Sequence, residues 1–161
     1  MLHSKGHRSR VCIVKAIWAL TWGVARISGE RVSQYMTNPP AVLVVESEAL
    51  VLTNIILHLQ NVGFKVYEAT DSDNAIKMLE AHNDIRVVYT DIDTPGFMDG
   101  IKLATAVRNR WPSLRIIVTS RRPLDDLDLI PDGAIFMVKP FHYGTITRSI
   151  TRLSVSYLRC V

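Results

Sequence analysis

Short apolar runs rich in β-branched residues recur five times after residue 40. They occupy residues 41–45, 64–69, 85–90, 114–119 and 134–138. Runs that are apolar throughout, rather than at alternate positions, are typical of strands buried on both faces of a sheet. Strands of this kind are parallel and need crossover connections, which are usually helices. The chain is therefore predicted to be an α/β protein whose parallel sheet is covered on both faces.

Helical periodicity fills most of the segments between these runs. In residues 50–62 the apolar positions fall on one stripe: Leu52, Ile55, Ile56, Leu59 and Val62. Gly63 can end this helix, and residues 73–81 predict a second one. Asp99 is placed to cap a third helix of about a dozen residues, and residues 143–158 predict the last.

The segment between the fourth and fifth runs does not follow this alternation. Residues 121–131 contain Pro123 and Pro131, which leave little room for a helix because each proline restricts the residue before it and donates no hydrogen bond. We expect one short helical turn or an irregular loop there.

The first 40 residues differ in charge from the rest of the chain. The chain has 19 basic residues (Lys and Arg) and 15 acidic residues (Asp and Glu). Residues 1–35 contain six of the basic residues and one of the acidic ones, so the rest of the chain contains 13 basic and 14 acidic residues. Pro39 and Pro40 mark a boundary, and we predict an N-terminal extension over residues 1–40, outside a domain over residues 41–161. Because the folded part is nearly neutral, no nucleic-acid partner is expected.

Residues 11–27 are an apolar segment of this extension that allows three interpretations. The segment resembles a signal peptide without a clear cleavage site, or a helix that lies on a membrane surface. In the third interpretation translation begins at Met36 and the segment is not native. The run is too short, and too charged at Lys15, to predict a spanning helix. Membrane contact is therefore expected only through this segment, if at all.

Cysteine and histidine usage argues against a disulfide framework and a histidine metal site. Cys12 and Cys160 stand at opposite ends of the sequence, and the five histidines form no metal-binding spacing. A reducing cytoplasm is the expected location.

Polar residues that could carry chemistry follow four of the predicted strands. They are Glu46, Ser47 and Glu48 after the first, Asp91 and Asp93 after the third, Ser120 after the fourth and Lys139 after the fifth. Ligands of open parallel sheets bind outside the carboxyl ends of the strands. Carboxylates gathered at one edge repel each other unless a cation joins them, and hard oxygen ligands favour Mg²⁺. Any one of these residues could be an ordinary cap or surface side chain, so the prediction depends on their conjunction.

Three segments resemble the response-regulator receiver domain, the phosphoacceptor half of two-component signalling. DIDTPGFMDG at residues 91–100 is similar to the family's D-x-x-M-P-G-(x)-M-D-G signature. FMVKPF at 136–141 resembles the family's lysine-proline turn. VLVVESE at 42–48 resembles the family's first strand and the acidic residues that follow it. The resemblance spans residues 41–158 and implies a (βα)5 doubly wound parallel sheet with the flavodoxin-like strand order 2-1-3-4-5.

The resemblance also implies roles for single residues. Asp91 would be the phosphorylated carboxylate, with Lys139 and Ser120 contacting the phosphoryl group. Phe136 would be the switching aromatic, and the peptide bond before Pro140 would be cis. Metal ligands would be the set Glu46, Asp91, the backbone carbonyl of Asp93 and, as a weakened position, Ser47, with Mg²⁺ as the cofactor.

Three positions depart from the family pattern. Ser47 stands where an aspartate is expected, which should weaken Mg²⁺ binding. Thr94 replaces the usual methionine, and Arg121 stands where a small residue is favoured. A guanidinium at that position could contact phosphate. Two functions therefore stay open: a working phosphorylation switch, or a phosphorylation-independent pseudo-receiver that acts as an interaction module.

The remaining expectations concern partners. The phosphoryl group would come from a sensor histidine kinase or a histidine phosphotransfer protein. Since no output domain follows the last predicted helix, the signal would pass to a separate effector protein. The chain would assist its own phosphorylation and dephosphorylation without being an enzyme in the usual sense.

Overall fold

The computed structural model describes residues 41–157, with side chains described as far as residue 153. The predicted extension, including the apolar segment 11–27, and both cysteines lie outside the described residues. None of the helices over residues 41–157 is both long enough and apolar enough to cross a membrane.

The described residues alternate between strands and helices, apart from one short 3₁₀ turn at Leu127–Leu129. The strands are β1 Ala41–Val45, β2 Lys65–Ala69, β3 Ile85–Asp91, β4 Arg115–Ser120 and β5 Ile135–Val138. The helices are α1 Ala49–Asn61, α2 Ser72–Ala81, α3 Gly100–Arg110 and α4 Tyr143–Tyr157. All strand pairs are parallel, and the strand order is β2-β1-β3-β4-β5. The predicted flavodoxin-like α/β fold is confirmed.

Local signals set the helix boundaries. Gly63 follows α1 with a φ of +95°, a conformation that favours glycine, and its N–H donates to the carbonyl of Gln60. The carboxylates of Asp71 and Asp99 cap α2 and α3 by accepting from the backbone N–H of Asn74 and Lys102. The predicted cap at Asp99 is confirmed.

Two layers of helices cover the sheet because neighbouring residues of a strand point to opposite faces. One face carries Leu43, Val88 and Val118, which pack into a buried cluster with residues of α2 and α3. The alternate strand residues, such as Val44 and Ile117, are equally buried but belong to the other face. There the buried residues of α1 and α4 complete the core: Leu52, Ile55, Leu59, Ile146 and Ile150.

Burial is uneven across the sheet. Every residue of β1 is buried, whereas all four residues of β5 are at least partly exposed. Four of the five residues of β2, the other edge strand, are also at least partly exposed, so the helices bury the central strands more completely than the two edges. For β5 a further reason is the segment before it, where only the 3₁₀ turn Leu127–Leu129 stands in place of a full helix. The predicted short turn in that segment is confirmed.

Candidate functional site

The parallel sheet brings four strand ends to one edge. Glu46 directly follows β1, Asp91 ends β3, Ser120 ends β4 and Lys139 directly follows β5. Because β3 lies between β1 and β4, Asp91 is at the centre of this edge. Residues far apart in the sequence are thus placed together by the sheet alone.

Glu46, Asp91 and Lys139 form one connected cluster, which we call the inner trio. The Lys139 Nζ donates to Glu46 Oε2 at 2.8 Å and also to Asp91 Oδ2. Glu46 and Asp91 are each 1% exposed, and the Lys139 side chain is 19% exposed. Buried charges require partners, and here two carboxylates share a single ammonium group. The trio therefore keeps a net negative charge that a second cation would neutralise.

The surroundings of Lys139 influence its proton affinity in two directions. Burial by itself lowers the pKa of the ammonium group, because it disfavours the charged form. Hydrogen bonds to Asp91 and Glu46 act against burial and raise the pKa above its ordinary value of 10.5. Lys139 therefore remains a cation over the whole physiological pH range.

The backbone around Asp91 is held by several hydrogen bonds. The N–H of Ile92 donates to the carbonyl of Thr119 at 2.8 Å, and the N–H of Asp93 donates to Asp91 Oδ1 at 3.3 Å. The buried hydroxyl of Thr94 donates to the Asp91 carbonyl at 2.6 Å. Sequence reasoning missed this contact. A threonine where the resemblance expects methionine was the available signal, because a hydroxyl buried there needs an acceptor.

Ser120 is joined to the trio by a backbone hydrogen bond to Lys139. Its carbonyl accepts from the N–H of Lys139 at 2.8 Å, and its hydroxyl oxygen accepts from the N–H of Arg122 at 3.0 Å. A hydroxyl that accepts one hydrogen bond still has its own proton to donate. Ser120 is 7% exposed, so it is positioned as a nearly buried donor at the edge of the cluster.

Two further predicted features lie on or after β5. Phe136 is partly buried and packs against the cluster on the α2 and α3 side, next to Val118 in the register of β4 and β5. The peptide bond between Lys139 and Pro140 is cis, as the resemblance implied. The switching role of Phe136 stays a prediction.

A second ion pair lies outside the trio, and we call it the outer pair. Ser47 and Glu48 are exposed, and Glu48 precedes α1 without a side-chain capping bond. Its carboxylate instead lies 3.4 Å from the guanidinium of Arg121, with side chains 53% and 60% exposed. In this arrangement the Glu48 side chain pairs with Arg121 and not with the inner trio, so it does not stand in for the carboxylate missing at Ser47.

Tyr89 was not among the predicted site residues, yet it is buried close to the trio. It lies on β3 two residues before Asp91, and the Thr119 hydroxyl is 3.4 Å from its phenolic oxygen. Burial raises the pKa of Tyr89 from 10.0 to about 12, with the charges of Glu46 and Asp91 adding to that rise. The phenol is thus a neutral group next to the charged trio.

The oxygen atoms at this edge of the sheet can be compared with the ligands that a magnesium ion requires. Among the side chains described, no group of three or more His, Cys, Asp and Glu residues is arranged to hold a metal. Mg²⁺, however, binds proteins through one or two carboxylates and takes its other ligands from water and phosphate oxygens. Glu46 and Asp91 supply two carboxylates that share one ammonium. The family resemblance implies the backbone carbonyl of Asp93 as a further ligand. The residues present fit the ion, and Ser47 adds no charge.

The sequence matches the family model of the response regulator receiver domain over residues 42–151. That match covers more than half of the chain and includes each residue of the trio. The chain therefore belongs to the response regulator receiver domain family.

Solved receiver structures share the fold of this chain. A CheY-like receiver domain from Methanospirillum hungatei JF-1 is 17% identical with a TM-score of 0.68, and 75% of this chain and 98% of that chain are covered. A receiver protein from Sinorhizobium medicae WSM419 is 25% identical, with coverages of 73% and 95% and a TM-score of 0.67. The CheY of a CheX-CheY-BeF3-Mg²⁺ complex from Borrelia burgdorferi is also 25% identical, with coverages of 70% and 87% and a TM-score of 0.63.

Proposed function

We propose that this chain is the phosphoacceptor of a two-component phosphorelay, in which Asp91 receives a phosphoryl group from a histidine. The donor is a sensor histidine kinase or a histidine phosphotransfer protein. The observation that carries the proposal is the inner trio, in which a buried carboxylate at the centre of the strand edge is bonded to a lysine that stays charged. Membership of the receiver family and the likeness to receiver structures support it.

The proposed transfer exchanges one bond for another at phosphorus. A carboxylate oxygen of Asp91 forms a new bond to phosphorus while the bond between phosphorus and the donor's imidazole nitrogen breaks. The imidazole leaves with the electron pair of that bond, and Asp91 becomes an acyl phosphate. Lys139 and the hydroxyl of Ser120 then donate to phosphoryl oxygens, since both groups already lie at this edge.

The proposed cofactor is Mg²⁺, held by Glu46, Asp91 and the carbonyl of Asp93. When bound, the ion neutralises phosphoryl oxygens and aligns them for transfer. The phosphoryl group and the rearranged Ser120 then alter the neighbouring surface, with Phe136 as the side chain that follows the hydroxyl. The altered surface is read by a separate effector protein, and the proposed setting is the cytoplasm. In this proposal the chain turns over no separate substrate as an enzyme would.

The test is phosphorylation of the full chain with Mg²⁺ and acetyl phosphate, followed by intact-mass measurement. We expect a mass gain of one phosphoryl group on the wild type and none on Asp91→Asn. Asp125→Asn is the matched control, because Asp125 is an exposed acid of the loop before β5. This control should gain phosphate as the wild type does.

Two results would contradict the proposal. A wild type that stays unmodified at saturating Mg²⁺, with acetyl phosphate and with histidine donors, would favour the pseudo-receiver and identify Ser47 as the first residue to restore to Asp. Equal labelling of the wild type and Asp91→Asn would place the acceptor elsewhere.

A further inference from the structure

The outer pair connects two strands that are not neighbours. Glu48 follows β1 and Arg121 follows β4, while β3 lies between them in the sheet. Neighbouring strands are about 4.8 Å apart, so β1 and β4 are separated by roughly 10 Å at this edge. Two side chains whose charged atoms lie 3.4 Å apart must therefore meet over the end of β3. That end is Asp91, so the outer pair crosses the entrance to the inner trio.

The charge of the inner trio shows why a further cation matters there. Before phosphorylation, Glu46 and Asp91 are balanced only in part by Lys139. An acyl phosphate on Asp91 adds about one more negative charge, because the phosphoryl group is nearly a dianion. Ser47 cannot contribute a metal-binding carboxylate, so less charge is available to hold a compensating ion. A cation that already lies over β3 can provide that compensation.

Arg121 is the side chain that meets this requirement. Its guanidinium matches phosphate oxygens in a bidentate manner, which a lysine does not. Its present partner holds it weakly, because the pair is more than half exposed and joined at 3.4 Å. Exposed pairs of this kind contribute little to stability, so exchanging Glu48 for a phosphoryl group costs little.

We propose that Arg121 is a phosphoryl-binding residue of this receiver. Glu48 holds the guanidinium across the entrance before phosphorylation and competes with the phosphoryl group for it afterwards. This inference rests on the proposed function, because it requires Asp91 to be the acceptor. It adds a ligand that the family pattern does not provide, since the pattern favours a small residue at this position.

The test measures the affinity of the full chain for beryllofluoride in the presence of Mg²⁺ by isothermal titration calorimetry. Arg121→Gln should weaken binding by about tenfold, which corresponds to the loss of one charge-assisted hydrogen bond. Glu48→Gln should instead tighten binding several-fold, because it removes the competitor. In the double variant, Glu48→Gln should have no further effect.

Opposite effects of Arg121→Gln and Glu48→Gln on the affinity for beryllofluoride distinguish this proposal from a structural role of the pair. If the pair only stabilised the loops, both substitutions would weaken binding together. Arg122→Gln is the matched control, because Arg122 is the neighbouring exposed arginine and its contact with Ser120 uses only its backbone N–H. Arg121→Lys should recover part of the affinity, since it keeps the charge but lacks the bidentate geometry.

The outcomes separate this inference from the proposed function. If the wild type binds beryllofluoride and Arg121→Gln binds as tightly as Arg122→Gln, the inference is wrong and the phosphoacceptor role stands. If the wild type does not bind beryllofluoride and gains no phosphate from acetyl phosphate, the proposed function is wrong and the inference is wrong with it.

Discussion

The inner trio and the outer pair are both ion pairs at the carboxyl edge of the sheet, but they lie in different surroundings. In the trio the two carboxylates are almost fully buried, and the lysine side chain is 19% exposed. In the outer pair both side chains are more than half exposed. Glu46 and Glu48, only two residues apart in the sequence, belong to different clusters.

This difference in exposure shows which charges the folded state requires to be paired and which can change partners. A buried charge that loses its partner cannot recover the lost interaction from water, whereas an exposed one can. Lys139 is therefore needed by the folded state itself, and Arg121 is available to exchange partners. The trio is the permanent part of the site and the outer pair is the adjustable part.

The largest predicted effect compares the removal of one cation from each cluster. Lys139→Met should lower the free energy of unfolding at neutral pH by about 3 kcal/mol, because Glu46 and Asp91 would be buried without their ammonium partner. Arg121→Met should lower it by less than about 1 kcal/mol, because the pair it breaks is exposed. Urea denaturation of the two variants, without Mg²⁺, measures both values.

Glu46→Gln and Asp91→Asn, added together to Lys139→Met, provide a control for the cause of this loss. Neutral amides leave no unpaired charge in the cluster, so part of the lost stability should return. Equal losses for Lys139→Met and Arg121→Met at neutral pH would mean that burial does not distinguish the two clusters.

Sequence reasoning could predict the fold because the fold depends on patterns that are local. The apolar runs placed every strand to within a residue or two, and Gly63 and Asp99 marked helix boundaries through their own chemistry. The partial exposure of β2 and β5 was not predicted, because it depends on their places at the two edges of the sheet and on the elements that pack against them. The prolines before β5 predicted a short turn correctly, but their effect on the neighbouring strand needed the structure.

The candidate site could be predicted only in part, for a related reason. Strand ends and the family resemblance identified Glu46, Asp91, Ser120 and Lys139, and the structure places these four together. Which side chains pair is a matter of three-dimensional distance that no sequence spacing expresses. The pairing of Glu48 with Arg121 across β3 is of that kind.

A second comparison concerns two glycines, one at the buried centre of the site and one at an open helix start. At Gly100 a Cβ would overlap the Asp91 carbonyl oxygen, whereas a Cβ at Gly144 would meet no atom within 4 Å. Gly100→Ala should therefore lower the free energy of unfolding toward the upper end of about 1–3 kcal/mol, because backbone must shift. Gly144→Ala, its matched control, should be neutral or raise it by up to about 1 kcal/mol. Thermal denaturation measures both, and equal stability of the two variants would show that α3 can move away from Asp91.

The smallest predicted effect uses Tyr89 to probe how strongly the surroundings of the trio disfavour charge. Because burial raises the pKa of Tyr89 to about 12, the folded protein keeps the phenol proton to higher pH than the unfolded chain does. The unfolded chain loses this proton first. The contribution of the protonated phenol to the free energy of unfolding is therefore complete below about pH 10 and is lost as the pH rises toward 12. At about pH 11 the loss amounts to about 1.4 kcal/mol.

Tyr89→Phe lacks this proton, so its free energy of unfolding should fall by about 1.4 kcal/mol less than that of the wild type when the pH is raised from about 9 to about 11. The raised pKa of Lys139 also lowers stability at high pH in both proteins. Most of this loss cancels in the difference, because the hydrogen bonds to Asp91 and Glu46 raise that pKa more than the charge of Tyr89 does. Tyr143→Phe, which removes a phenol from an exposed position on α4, is the matched control. If Tyr89→Phe and the wild type lose stability in parallel, the phenol reaches water in the folded protein. Water would then enter further into the surroundings of the inner trio than the low side-chain exposures indicate.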